Sequence, residues 1–169
     1  MFEHLETLRP DLKPMFGRLR KIPQDVVATM QERLPECPHA YWTFLLERGA
    51  GVIEQDGEPF CFEERLMSAE TELYYDRLIY ENGAKGDVII FGHESMGTAY
   101  GFDTGDGWKL VEVDEFRIVT PLELTFEQFV IGLVLCYPQI AMKVESGEWV
   151  DGIGTRYRPS GNNPDLPPS

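Results

Sequence analysis

The sequence predicts an α+β fold: a single domain in which a mixed or largely antiparallel twisted sheet packs against helices at the N- and C-terminal ends of the core. Three observations lead there. Apolar residues recur at helical spacing between Ile22 and Arg48, the pattern changes after Gly51 to short strand-like runs parted by Gly, Asn and Asp, and a capping-box sequence at Thr125 opens another helical stretch. A chain of 169 residues is long enough for one well-cored domain and short for two. Its 43% apolar content, with three Trp, seven Tyr and ten Phe, fits a globular core.

The first helix is expected over Val26 to Leu34, where Val26, Val27, Met30 and Leu34 share one side and Pro23 lies near the first turn. Pro35 and Pro38 interrupt the chain. A second helix over Ala40 to Arg48 carries Tyr41, Phe44, Leu45 and Arg48 at i, i+3, i+4 and i+7 and stops at Gly49 and Gly51. Asp56-Gly57 between Val52-Ile53 and Phe60-Cys61-Phe62 reads as a tight hairpin. Ser68 is placed to cap a short helix over Ala69 to Tyr74. Asn82-Gly83 and Lys85-Gly86 mark a turn before Asp87-Val88-Ile89-Ile90-Phe91-Gly92, a continuous apolar run that suits a central strand buried on both faces. Thr98 to Phe102 and Trp108 to Val113 flank the glycine-rich Asp103-Thr104-Gly105-Asp106-Gly107 and form a second hairpin. Thr125 followed by Gln128 has capping-box spacing, and Phe126, Phe129, Val130, Leu133 and Val134 line the helix that ends by Pro138. Pro159, Gly161, Asn162, Asn163, Pro164, Pro167 and Pro168 crowd the last stretch, so the domain is expected to span 1–151 and 152–169 to be a mobile tail.

Charge is the strongest signal bearing on function. The formal net charge is −14, and it is uneven: residues 1–50 hold seven acids and seven bases, 51–81 nine acids and two bases, and 101–127 seven acids and two bases. Such a surface steers cationic partners and repels nucleic acid and anionic membranes. Within it, Glu63, Glu64, Glu70, Glu72, Tyr74, Tyr75 and Asp76 interleave acids with aromatics, and Asp103, Asp106, Asp114 and Glu115 supply further carboxylates; these are the candidate partner-binding residues. A negative surface that serves solubility alone is the competing reading.

The start, Met1-Phe2-Glu3-His4-Leu5-Glu6, lacks the basic and apolar regions of a secretion signal, and the longest apolar run, Phe129 to Tyr137, is under half of a membrane span. Cys37, Cys61 and Cys136 are an odd number at wide spacing among apolar neighbours, which suits buried thiols in the cytoplasm. No cofactor or metal motif is present: His4, His39 and His93 form no pair at ligand spacing, and the 103–107 loop lacks the closing Glu of a calcium loop and reads as a hairpin turn. The separation of Cys61 and His93 permits a nucleophile and base, but no nucleophile motif surrounds Cys61, which reads as a buried strand residue between Phe60 and Phe62. Gly92, Gly97 and Gly101 are too widely spaced for a phosphate-cradling loop.

Leu34-Pro35, then Tyr41-Trp42-Thr43-Phe44-Leu45-Leu46, then Gly49-Ala50-Gly51 resembles the opening of SUKH superfamily domains. The likeness continues in Val88 to Phe102, similar to the family's buried strand, turn and following strand, and in Phe126-Glu127-Gln128-Phe129-Val130, similar to its closing Phe-x-x-Phe helix. It spans about 23–135. Many members carry Gly-Asp where this chain has Gly97-Thr98. The resemblance implies an α+β fold and no catalytic residue. It also implies one of two roles: a cytoplasmic immunity protein that binds and neutralises a cognate toxin, here a basic one, or a regulatory scaffold of the kind found in the yeast cell-wall regulator. An unrecognised hydrolase built on His93 and nearby carboxylates is a third reading.

Overall fold

The computed structural model describes residues 1–9, 18–53, 59–73, 77–81, 86–137, 139 and 142–158. In chain order the elements are α1 (Leu5–Leu8), α2 (Gln24–Arg33), α3 (His39–Glu47), β1 (Gly51–Ile53), β2 (Phe60–Ser68), β3 (Ile79–Tyr80), β4 (Val88–Glu94), β5 (Ala99–Asp103), β6 (Lys109–Val113), β7 (Ile118–Pro121), α4 (Phe126–Cys136), β8 (Met142–Glu145), β9 (Glu148–Asp151) and β10 (Arg156–Tyr157). The α+β expectation holds. A seven-stranded sheet runs β1-β2-β4-β5-β6-β7-β3, antiparallel throughout except for the parallel β3–β7 pair, and a separate antiparallel sheet runs β10-β9-β8.

The helices form where the apolar spacing places them. In α2, Val27 is buried and Met30 and Leu34 pack against the core, whereas Val26 faces outward. In α3, Tyr41, Phe44 and Leu45 are all fully buried. Its exit is made by Gly49 at φ +101° and Gly51 at φ +132°, and a Cβ on Gly49 would lie 2.0 Å from the Arg20 carbonyl oxygen. The chain therefore turns from helix to strand through backbone that side chains rarely adopt. Helix α4 opens with the predicted capping box: Thr125 Oγ1 accepts from Gln128 N–H (3.2 Å) and Gln128 Oε1 accepts from Thr125 N–H (2.9 Å). At its other end the Arg9 guanidinium donates to the carbonyls of Leu135 (2.9 Å) and Tyr137 (3.3 Å), a cation where the helix dipole favours one.

One face of the large sheet and these helices enclose an aromatic core. Phe126 meets Tyr41, Phe44, Phe91 and Phe102 at centroid distances of 5.2–6.0 Å, and Phe91 also packs on Phe129 at 5.6 Å. The opposite face carries a second, aliphatic cluster of Val88, Ile90, Ala99, Val111, Val113 and Val119, covered by Leu73, Leu78 and Tyr80. The run from Val88 to Phe91 is thus buried on both sides, as its sequence suggests, although β5 and not β4 lies midway across the sheet.

Two features depart from expectation. No helix follows Ser68 among the described residues: the strand ends there and Ala69 opens a turn, its N–H donating to the Val88 carbonyl (2.8 Å). Ser68 Oγ does accept from Thr71 N–H (3.0 Å), but the result is a single turn. The fold also extends past 151, because Arg156 and Tyr157 pair with Val150 and Trp149. Asp151 makes this turn by accepting from Ile153 N–H (3.0 Å), Thr155 N–H (2.9 Å) and Tyr157 Oη (3.1 Å). The Asp56-Gly57 turn, Asn82-Gly83, Lys85 and the proline-rich 159–169 lie outside the described residues. Among those described, no helix is long and apolar enough to cross a membrane.

The small sheet docks on α4 through Trp149, whose Nε1–H donates to the Gln128 carbonyl (3.0 Å). It approaches so closely that a Cβ on Gly132 would lie 2.6 Å from Trp149 Cδ1 and 2.1 Å from Met142 Sδ. Gly132→Ala is therefore expected to lower stability by about 1–3 kcal/mol in spite of alanine's better helix propensity, because the overpacking outweighs the roughly 1 kcal/mol gained in the helix. Urea midpoints check this; an unchanged or higher midpoint would mean that the small sheet is not seated on the helix.

Candidate functional site

The candidate acids do not form one face. Glu70, Glu72 and Asp106 lie at the Ser68 end of β2 and the Asp103 end of β5, whereas Asp114 and Glu115 lie at the far end, beside the β4–β5 turn. The seven residues of β4 separate the two groups by about 20 Å at the usual strand rise.

Several of these carboxylates are engaged by partners within the chain. Asp103 is a correction: it is 0% exposed, and its Oδ1 accepts from Gly86 N–H (3.1 Å) and Gly105 N–H (2.9 Å), tying the entry of β4 to the β5–β6 turn. It cannot touch a partner. Asp106 pairs with Lys109 at 3.2 Å. Glu72 pairs with Arg65 and accepts from Ser68 N–H (2.8 Å); the Arg65 hydrogen bond, then that backbone bond, hold it below the usual carboxylate range. Glu64, Glu70 and Glu115 are exposed. Tyr74, Tyr75 and Asp76 lie outside the described residues.

The far end of the sheet is the more informative. Asp114 Oδ1 accepts from Phe116 N–H (2.9 Å) and Ile118 N–H (2.8 Å), which fixes the β6–β7 turn and leaves Phe116 69% exposed at its tip. Met96, in the β4–β5 turn, is 70% exposed. A Cβ on Gly97 would lie 3.9 Å from Glu115 Cβ, so the two turns adjoin. Met96 and Phe116 thus stand on neighbouring turns, flanked by Glu94, Asp114 and Glu115. Charge counting misses both; the signal that could find them is an apolar residue beside a turn-forming one, Met96 before Gly97 and Phe116 two residues after Asp114. Just behind, Glu112 is pushed above the ordinary carboxylate value by burial first and then by Asp114 and Glu94.

A third constellation lies on the face opposite the aromatic core. Cys61 and His93 are cross-strand partners, Glu63 is two residues along β2 on the same face, and one ligand atom from each lies within 4.8 Å of the others. His93 Nδ1 is 2.8 Å from Glu63 Oε1. Cys61 is half-buried on the outer face and not in the core between its Phe neighbours; strand alternation sends it the opposite way from Phe60 and Phe62. Burial, then Glu63 and Glu64, push its thiol above the ordinary value, which disfavours a free thiolate nucleophile. The other two cysteines are buried, and for Cys136 burial and then Asp151 push the thiol up to about 12, Arg9 opposing.

Comparison of the chain with protein-family models, with curated proteins and with solved structures finds no match in any of the three.

Glu112 carries a pH prediction. Its folded-state value lies above the ordinary 4.5, so its contribution to stability is full below 4.5 and is lost as pH rises through the higher folded value. Glu112→Gln removes that loss. The variant should be the more stable near neutral pH, with the advantage fading towards about pH 4. Denaturant midpoints at both pH values decide it; a variant less stable at neutral pH would show that the Glu112 charge is compensated.

Proposed function

We propose that this chain is a non-enzymatic protein-binding domain of the immunity type, which binds a basic toxin domain and blocks it. The observation that carries the reading is the sheet-end tip, where Met96 and Phe116 stand exposed on adjoining turns among Glu94, Asp114 and Glu115. Interfaces are enriched in Met and aromatic residues, and a carboxylate rim steers a cationic partner and fixes its orientation. Scattered single apolar residues need no explanation, but two large ones exposed on adjoining turns offer a partner a shared apolar anchor. The SUKH resemblance at Leu34-Pro35, Tyr41 to Leu46 and Gly49 to Gly51 supports an immunity or a scaffold role, and the acidic tip favours a single basic partner. The acid-rich segments are consistent with association that is fast at low salt and slows as salt screens the field.

The test is protection and binding against any toxin domain encoded beside this chain's gene. Phe116→Ala should weaken binding about 30-fold, the effect of losing a hot spot of ~2 kcal/mol, while leaving the melting temperature unchanged because the ring is exposed. Glu115→Lys should slow association several-fold and flatten its salt dependence. Full protection and unaltered affinity in the Phe116→Ala, Met96→Ala double variant would overturn the tip as the binding surface. A spread of housekeeping partners, with no neighbouring toxin bound, would favour the scaffold role.

A further inference from the structure

We propose that Cys61, Glu63 and His93 form a binding site for a zinc-class divalent cation, with a fourth coordination position open to solvent. This goes beyond the protein-binding reading and does not depend on it.

The argument begins with backbone register. Cys61 pairs directly with His93 across β2 and β4, and strand alternation sets Glu63 on the same face as Cys61. His93 reaches that face only because β4 is irregular. Ile90 pairs with Gly101 and Gly92 with Tyr100, so β4 holds one residue more than β5 between the two pairs. Without that extra residue, alternation from Val88 and Ile90 would turn His93 towards the helices. The bulge re-aims it, as bulges beside functional sites do.

The three groups then converge. Their ligand atoms lie within 4.8 Å of one another, and Nδ1 of His93 is already 2.8 Å from Oε1 of Glu63. Zinc with bonds of about 2.0–2.3 Å holds its ligands roughly 3.3–3.8 Å apart. Small side-chain rotations on a rigid two-stranded frame therefore close the site. The donor set selects the cation: a thiolate disfavours calcium and magnesium, and sulfur, imidazole and carboxylate together suit zinc or its probe cobalt(II). Binding exchanges the Cys61 thiol proton for a sulfur–metal bond, and the cation replaces whatever proton lies between His93 and Glu63. The thiolate and carboxylate then neutralise the ion. Access is open, since the His93 and Glu63 side chains are 49% and 24% exposed.

The experiment uses the full chain, reduced, stripped of metal with a chelator and titrated with cobalt(II), then with zinc against a chromophoric competitor. The expected result is saturation at a single equivalent, with tetrahedral ligand-field bands and a thiolate-to-cobalt charge-transfer band. His93→Ala, Glu63→Gln and Cys61→Ser should each lower zinc affinity by more than the roughly 10–100-fold that loss of an outer-shell partner costs, while His39→Ala leaves it unchanged. Far-UV circular dichroism checks whether each variant is folded; His93→Ala alters an exposed side chain and Glu63→Gln is isosteric, so both keep the test valid if Cys61→Ser fails to fold. Zinc binding that survives His93→Ala, or cobalt spectra without the sulfur band, would overturn the site. Neither outcome bears on partner binding, which is measured separately.

Discussion

The antiparallel pairing of β2 with β4 is the constraint on which most of the molecule rests. It sets Phe60 and Phe62 beside Phe91 in the aromatic core on one face and Cys61 and Glu63 beside His93 on the other. Gly92 makes the approach possible. A Cβ there would lie 2.7 Å from the Cys61 carbonyl oxygen and 2.8 Å from the Phe60 ring, so any side chain must push the strands apart or expel the ring. Core packing and the chemistry of the outer face are therefore two results of one register, and a slip of a single residue would exchange them.

The acidic character of the chain resolves into two populations once the fold is known. Asp103, Asp114 and Asp151 each accept two or three hydrogen bonds from nearby groups and hold turns. For Asp151, burial opposes ionisation, but the bonds from Thr155, Ile153 and Tyr157 outweigh it and hold the group below the ordinary value. Asp103 and Asp151 are buried and architectural, whereas Asp114 holds its turn through Oδ1 and is still partly exposed at the tip. Glu64, Glu70 and Glu115 project into solvent and supply the field felt by a partner. Net charge cannot separate the two kinds, because both count the same in the sequence.

Local signals were legible in the residues, and long-range ones were not. The Thr125 capping box, the Tyr41, Phe44 and Leu45 face and the doubly buried Val88 to Phe91 run each depend on near neighbours in sequence, and each is present in the structure. The small sheet also has a local signal, passed over in the sequence: Met142-Lys143-Val144-Glu145 alternates and Ser146-Gly147 marks a tight turn; only its seat, Trp149 on Gly132, is long-range. The Cys61, Glu63 and His93 cluster was hidden. It needs the β2–β4 register and the β4 bulge, neither of which leaves a spacing motif. The position of Cys61 was nonetheless open to inference, since a strand residue between two buried Phe must face the other side.

The cluster and the tip lie at the same end of the sheet, His93 being three positions from Met96, or about 10 Å at strand rise. Their electrostatic coupling is nevertheless small. With Cys61 as a thiol and His93 neutral, the cluster carries the single charge of Glu63; with a divalent cation, a thiolate and a carboxylate it carries none. Unit charges 10 Å apart in water interact by only about 0.4 kcal/mol, and that separation is already close to the Debye length at physiological salt. A metal ion would thus change the attraction of a basic partner by a few tenths of a kcal/mol at most. Larger coupling would require the partner to supply a ligand to the open coordination position, in which case metal and partner would each raise the other's affinity by the same factor.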